Sequence, residues 1–293
     1  PAGILVVPEE LVLALLQRDR PLQPLRVRVG LKQLEQAEDE KGVVLGVAVD
    51  CRIAVAVASQ QGPGGLVPHP IAHETGARVH VLHVSTVEEM EYLAGHKDVA
   101  TVETTPHHLT LEAPGCYERL GTRAQMNPPV RDAAHRAGIW SGIAQGVVDV
   151  LGSDHAPHTR EEKAKVYPAS PSGMTGVQTL VPVMLDHVNA GRLSLLRFVD
   201  LTSASPARLF GIASKGRIAA GYDADLTIVD LKRRETITDK WMASRAGWTP
   251  YDGVTVTGWP VGTFVRGRKV MWQGALATPA QGERVRFLET LAS

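Results

Sequence analysis

Gly152-Ser153-Asp154-His155-Ala156-Pro157-His158 follows directly on the apolar run Gly146-Val147-Val148-Asp149-Val150-Leu151. The run reads as a buried β-strand, so an acid and two histidines arrive at its carboxyl end. That is where a (β/α) barrel presents its chemistry, because its active sites are built from strand ends and the loops after them. An aspartate there can bind a divalent metal through oxygen and also carry a proton. The plainer reading is an N-cap, since Ser and Asp commonly precede helices. Three further segments tip the balance toward chemistry.

The chain of 293 residues is 44% hydrophobic, enough for one large or two smaller domains. Lys plus Arg and Asp plus Glu number 31 each, and the two signs are mixed, which predicts no nucleic-acid partner and no acidic-membrane partner. The longest apolar runs, such as Val43–Val49, are too short to span a bilayer. The sequence begins Pro1-Ala2-Gly3, without a secretory signal pattern. Cys51 and Cys116 form no CxxC pair, which argues against a disulfide framework or a cysteine zinc site. These features predict a soluble, cytoplasmic protein.

From about residue 75 short β-rich runs alternate with amphipathic stretches. Val79–Val84 reads as a strand and Thr86–Ala94 as the helix behind it; Val99–Thr104 is the next strand, followed by a loop with Pro106-His107-His108. Asp132–Gly146 reads as a helix, with Ile139, Trp140, Ile143 and Ala144 at helical spacing, leading into the strand Val147–Leu151. Thr175–Ala190 and Leu196–Phe210 read as further helices. Strands separated by helices imply βα units and a parallel sheet. After Lys215-Gly216-Arg217 the pattern changes. Glycines at turn positions flank Leu226–Leu231 and the segment Gly262–Gly274, which suggests antiparallel strands. The expected organisation is a poorly assignable part over 1–74, barrel strands and catalytic loops over 75–211, and a small β-sandwich-like domain over 212–293. Within 1–74, helix is expected at Glu9–Gln17 and Leu31–Lys41, and a loop at Gln60–Gly65.

Several motifs in order carry a family resemblance. His83-Val84-Ser85-Thr86, Thr105-Pro106-His107-His108-Leu109, Met126-Asn127-Pro128-Pro129-Val130-Arg131 and Ser153-Asp154-His155-Ala156-Pro157-His158 resemble the dihydroorotases. So do Pro171-Ser172-Gly173-Met174-Thr175-Gly176, Ser203-Ala204-Ser205-Pro206-Ala207 and the turn Gly221-Tyr222-Asp223-Ala224-Asp225. The resemblance runs from about Thr75 onward. It implies a metal-dependent TIM-type (β/α) barrel of the amidohydrolase superfamily, with one or two divalent ions, zinc foremost. The reaction implied is the reversible cyclisation of N-carbamoyl-L-aspartate to dihydroorotate in pyrimidine biosynthesis. Carried over by residue, His83 resembles the metal ligand ending the sixth barrel strand. Asp154 resembles the eighth-strand acid, both metal ligand and proton shuttle. Asn127 and His158 resemble groups that bind the substrate's carboxylate and ring amide, and Ser172 and Gly173 a loop whose backbone contacts substrate. His107 and His108 fall near the site in that pattern without being clear ligands. Lys163 and Lys165, in the Arg160–Tyr167 loop, read as a solvated face. The partner implied is a small-molecule substrate, with a homo-oligomer expected and association with another pyrimidine-pathway enzyme left open.

The chain also departs from the family. The pattern uses a His-x-His on the first strand, a His on the fifth and a bridging acid or modified lysine on the fourth. None can be assigned, and no histidine precedes His69. His69-Pro70-Ile71-Ala72-His73 has i,i+4 spacing, but its proline favours a surface segment. His80, three residues from His83, should face away from it. A closed barrel needs eight strands and about 250 residues, whereas three strands are visible from Thr75 on. Either the chain lacks or rearranges part of the family's N-terminal half, or it is degenerate with an incomplete metal site. The missing methionine and the absence of aromatics before Tyr92 favour the first. Two other functions stay open: a related cyclic-amide hydrolase of the hydantoinase or allantoinase kind, and a non-catalytic scaffold.

Overall fold

The computed structural model of the chain describes residues 76–277, with shorter stretches at 3–5, 45–46, 53–57, 72–74 and 282–288. The helices expected at Glu9–Gln17 and Leu31–Lys41, the loop Gln60–Gly65 and His69 lie outside the described residues. In chain order the strands are β1 (Gly3–Leu5), β2 (Leu45–Gly46), β3 (Ile53–Val57), β4 (Arg78–Leu82), β5 (Ala100–Thr104), β6 (Val150–Leu151), β7 (Leu226–Thr236), β8 (Thr255–Val265), β9 (Arg268–Trp272) and β10 (Ala275–Leu276). They form two sheets, in the orders β2-β3-β4-β5-β6 and β1-β7-β8-β9-β10. The chain divides into two compact units. One comprises Asp19–Cys116 with Met126–Gly152; the other comprises Pro1–Arg18, Tyr117–Gln125 and Ser153–Ser293.

The first unit holds the parallel sheet. β3, β4, β5 and β6 pair in parallel, and β2 runs antiparallel to β3. In β4 the consecutive residues Val79, His80 and Val81 are all buried, as expected of a parallel strand covered on both faces. Helix α1 (Val87–Ala94) begins with a capping box: Thr86 Oγ1 accepts from the Glu89 amide, and the Glu89 carboxylate accepts from the Thr86 amide at 3.0 Å. It buries Met90 and Leu93. After the short helix α2 (Pro106–Thr110), helix α3 (Ala133–Ala144) is capped by Asp132, which accepts from the amides of Ala134 and His135. Helices α1 and α3 cross so closely that a Cβ on Gly138 would lie 2.6 Å from Val87 Cβ, and one on Gly142 2.7 Å from Met90 Sδ. Glycine is required at this crossing. His80 spends its ring on the neighbouring strand, with Nδ1 2.8 Å from Thr101 Oγ1 and Nε2 3.7 Å from Glu103.

The second unit carries the antiparallel sheet, and its turns follow the expected glycines. β8 and β9 join through Arg266 (φ +49°) and Gly267 (φ +75°), and β9 and β10 through Gln273 (φ +50°) and Gly274 (φ +81°). Two successive positive-φ residues are the tight-hairpin geometry whose twist matches that of strands. The sandwich expectation needs correction: among the described residues these strands make one five-stranded sheet rather than two facing ones. Helix α4 (Leu180–Asn189) covers it instead. A Cβ on Gly258 of β8 would lie 2.7 Å from Leu185 Cβ, while Asn189 donates to the Thr257 carbonyl and Asp186 accepts from the Thr257 amide.

Two helix expectations also change. α4 starts at Leu180, not Thr175, because Thr175 and Gly176 are committed elsewhere. The Thr175 hydroxyl donates to the Trp248 carbonyl and the Gly176 amide to His155 Nδ1. The helix expected over Leu196–Phe210 breaks into α-helical turns at Leu195–Val199 and Ser205–Leu209 around a π-helical stretch at Asp200–Ala204. Pro206 has no N–H to continue the α pattern.

The junction between the helices and the sheet of this unit is fixed by charge. Lys215 and Asp225 are buried and in direct ionic contact, Asp223 stands 3.1 Å from the same ammonium, and the second Asp225 oxygen accepts from the Arg266 amide at 2.7 Å. Removing one member of a buried pair leaves the other charge poorly compensated. Asp225→Ala should therefore lower stability by about 3 kcal/mol, the low end of such losses, because Asp223 remains. Urea denaturation measures it, and a loss under about 1 kcal/mol would mean that Asp223 alone satisfies the lysine.

Candidate functional site

His83 and Asp154, the two expected metal ligands, share an unusual backbone. His83 lies one residue past β4 with φ +39°, and Asp154 three residues past β6 with φ +42°. Left-handed backbone costs a residue with a Cβ about 1–2 kcal/mol, and such positions gather where side chains must be aimed. Both side chains are half-buried. The ring nitrogen Nδ1 of His83 is buried and makes no hydrogen bond among the described residues. A buried polar atom left unpaired invites an absent ligand as its explanation.

The first unit also holds Asn127, which is exposed and precedes α3. The histidines left unassigned by sequence divide. His107 and His108 are both buried in α2. His108 Nε2 is 3.1 Å from the Pro128 carbonyl, which can only accept, so this nitrogen carries the proton; Nδ1 is 2.9 Å from Thr105 Oγ1. Burial lowers the His108 pKa to about 4, against the opposing hydrogen bond to Pro128. It is a neutral brace behind the Asn127 loop.

In the second unit, the loop after Asp154 and the loop holding Ser172 and Gly173 are laced together. The Ala156 amide donates to the Met174 carbonyl at 2.9 Å, and His158 Nε2 stands 3.0 Å from the Ser172 carbonyl. Gly173 has φ +141°, and a Cβ there would fall 2.5 Å from the Ala156 carbonyl and 3.1 Å from the His158 ring. The glycine is thus required twice, by conformation and by space. His155 serves the backbone, accepting from the Gly176 amide. Trp248, fully buried, donates its indole N–H to the His158 carbonyl at 2.8 Å. His158 Nδ1 is 3.7 Å from Glu162, too long for a hydrogen bond, and faces a cleft of about 240 Å³ also lined by Thr159, Gln178, Ser244 and Arg245. The structure therefore brings His158, Ser172 and Gly173 together beside the Asp154 loop.

Lys163 overturns the reading of a solvated face. Its side chain is fully buried, and its ammonium donates to the carbonyls of Gln125 and Pro171, each at 2.8 Å. A sequence signal existed: Thr159-Arg160-Glu161-Glu162 is a capping box, and the structure forms it at the start of a helical turn, Arg160–Lys163. That turn swings Lys163 inward. Gln125, also unremarked in sequence, donates its side-chain amide to the Ser170 carbonyl at 2.8 Å and to Ser172 Oγ at 3.3 Å.

The His108 environment sets a pH dependence. Its folded pKa is depressed below the unfolded 6.5, so the unfolded chain binds more protons between the two values, and stability falls with acidification from pH 6.5 to about 4. The loss should reach roughly 3 kcal/mol. Urea midpoints measured at pH 7 and 4.5 should converge in His108→Asn; an unchanged pH slope in that variant would remove the brace from the account.

Comparison with known proteins gives these positions a context. The amidohydrolase family pattern matches residues 69–270. The dihydroorotase of Halobacterium salinarum is 42% identical over 216 residues, covering 74% of this chain and 50% of that protein. The dihydroorotase of Methanothermobacter thermautotrophicus is 40% identical over 196 residues, 67% of this chain and 44% of that one. Among solved structures, the L-hydantoinase (dihydropyrimidinase) of Arthrobacter aurescens superposes with a TM-score of 0.68 at 35% identity, over 71% of this chain and 48% of its own. The chain spans about half the length of the curated relatives it matches. With the pattern running through the loops after β4, β5 and β6 and on into the antiparallel sheet, the chain belongs to the amidohydrolase family.

Proposed function

We propose that the protein is a dihydroorotase, interconverting N-carbamoyl-L-aspartate and dihydroorotate in pyrimidine biosynthesis with one or two zinc ions. The observation that carries this reading is the 42% identity to a dihydroorotase over 216 residues, a span that includes the positively twisted backbone at His83 and Asp154. Among the described residues no group of three or more His, Cys, Asp or Glu is gathered for a metal. The imidazole of His83, with its unbonded buried nitrogen, and the carboxylate of Asp154 nevertheless suit a zinc donor set. Zinc, when bound, polarises the reacting carbonyl and makes a water more acidic.

The chain's own residues supply the rest. In ring closure the ureido nitrogen attacks the side-chain carboxyl carbon, a C–N bond forms, and one carboxyl oxygen leaves as water. The nitrogen gives up its proton to the Asp154 carboxylate, which returns it to the departing oxygen, and solvent provides the second proton of that water. Ring opening reverses these transfers. His158 holds its Nε2 proton on the Ser172 carbonyl, so a neutral ring offers Nδ1 as an acceptor to the substrate's ring N–H. Asn127, exposed on its loop, offers amide donors to the substrate carboxylate. The backbone at Ser172 and Gly173 is read as a further substrate contact.

The parallel strands β3–β6 are read as an arc of a TIM-type barrel. A homo-oligomer, a cytoplasmic location and association with another pyrimidine-pathway enzyme belong to the same reading. Its support on the membrane question is narrow: among the described residues no helix is long and apolar enough to cross a bilayer. Hydantoinase-like hydrolysis is the second reading, favoured by the superposition on the Arthrobacter aurescens enzyme.

The test is turnover of N-carbamoyl-L-aspartate and of 5-substituted hydantoins by the full-length, zinc-loaded protein. Asp154→Asn should lower kcat for ring closure by about 10²–10⁴-fold, the range for loss of a positioned acid–base group. Hydantoin turnover without carbamoyl-aspartate turnover would replace the first reading by the second, and turnover of neither would leave the scaffold.

A further inference from the structure

Lys163 is a buried cation that the proposed chemistry does not use. Its neighbours explain neither its charge nor its cost by an ion pair: the ammonium's hydrogen bonds go to two backbone carbonyls, Gln125 and Pro171, and it sits 6.0 Å from the centre of the Trp248 ring. Burial lowers its pKa to about 8, so the fold bears a desolvation penalty to keep an ammonium here. A methionine or leucine would fill the same volume without that penalty. What the lysine provides is a pair of charge-assisted donors at one point.

Those donors land on the loop that carries Ser172 and Gly173. Pro171 is the residue before Ser172. Gln125 is held to the same loop three more times: its carbonyl accepts from the Gly173 amide at 2.9 Å, and its side-chain amide donates to the Ser170 carbonyl and Ser172 Oγ. One ammonium thus clips together the two ends of a Gln125-to-Gly173 hydrogen-bonded ladder. The Ser172 carbonyl in turn orients the His158 ring, and Trp248, beneath the lysine, donates to the His158 carbonyl. The lysine enters from the turn Arg160–Lys163, which a capping box between Thr159 and Glu162 begins.

We propose that Lys163 is the positioning residue of the Ser170–Gly173 substrate loop, setting the loop's backbone and, through the Ser172 carbonyl, the tautomer and direction of His158. The inference rests on the dihydroorotase reading for its substrate, though its structural half does not. Lys163 touches no reacting atom, so its loss should be felt in substrate binding before chemistry.

The experiment compares Lys163→Met with the wild type in the full-length, zinc-loaded protein, by hydrogen exchange of the backbone amides and by steady-state kinetics. The Gly173 amide should exchange about tenfold faster or more, the loss of one good hydrogen bond, while amides of α4 keep their rates. KM for N-carbamoyl-L-aspartate should rise about tenfold with kcat within about twofold. Unchanged Gly173 exchange, equal acceleration in α4, or a fall in kcat at constant KM would each overturn the proposal. Should Lys163→Met fail to fold, Lys163→Gln retains a neutral amide donor: exchange between wild-type and unprotected rates supports the role, and wild-type exchange overturns it. If the wild type turns over no carbamoyl-aspartate, the functional reading fails on its own, while the exchange comparison still decides the lysine's role.

Discussion

Parallel pairing of β3, β4, β5 and β6 is the constraint on which the rest depends. In a parallel ladder every strand points the same way, so the carboxyl ends of β4, β5 and β6 share one edge. The residues that follow those ends, His83, Thr105–His108 and Gly152, are brought to that edge by topology alone. The chain then turns sharply at His83, and again at Asp154, in left-handed conformations that are uncommon for residues with a Cβ. A helix cap would not need the strain. Glycine would relieve the strain at each position.

A second principle orders the loops beyond the strands. Polar side chains at these positions bind backbone as well as one another. His108 braces Pro128, His155 receives the Gly176 amide, Trp248 donates to the His158 carbonyl and Lys163 grips Gln125 and Pro171. Loops lack the internal ladders of helices and strands, so their carbonyls and amides need partners from outside. Side chains that supply them fix loop conformation as firmly as secondary structure does. The consequence is a division of labour within one motif: in Asp154-His155-Ala156-Pro157-His158 the first histidine is structural and the second keeps one ring nitrogen facing a cleft.

Local sequence carried much of this. Strand β4, the capped helices α1 and α3, and the glycine turns of the antiparallel sheet all follow from short-range pattern, because caps and tight turns are decided by a few adjacent residues. What was not legible was set at long range. The start of α4 at Leu180 depends on Trp248 and His155 competing for Thr175 and Gly176, over separations of up to 73 residues. Lys163 looked solvated because charge predicts exposure on average, and only the three-dimensional position of Gln125 and Pro171 reverses that average. Its capping box showed that a helical turn begins at Thr159, yet nothing local tells which way the turn faces. The candidate ligands His83 and Asp154 follow apolar runs, which is a local signal, whereas a side chain contributed from a distant segment would leave no local trace.

The dihydroorotase and hydantoinase readings share a fold, so the choice between them falls to groups that see the difference between their substrates. Both rings present an amide N–H beside a carbonyl, and on the proposed reading His158 would accept from either. Dihydroorotate adds a carboxylate on a ring carbon, the α-carboxylate that open-chain carbamoyl-aspartate carries. A site built to bind that anion leaves donors unpaired when a neutral hydantoin enters, and unpaired donors discriminate strongly, whereas extra apolar room discriminates weakly. On the proposed reading this distinction falls to Asn127, which is exposed on the loop whose Pro128 carbonyl His108 holds. A fold-level superposition is blind to one amide. That is why likeness of backbone to hydantoinases and likeness of sequence to dihydroorotases coexist without contradiction.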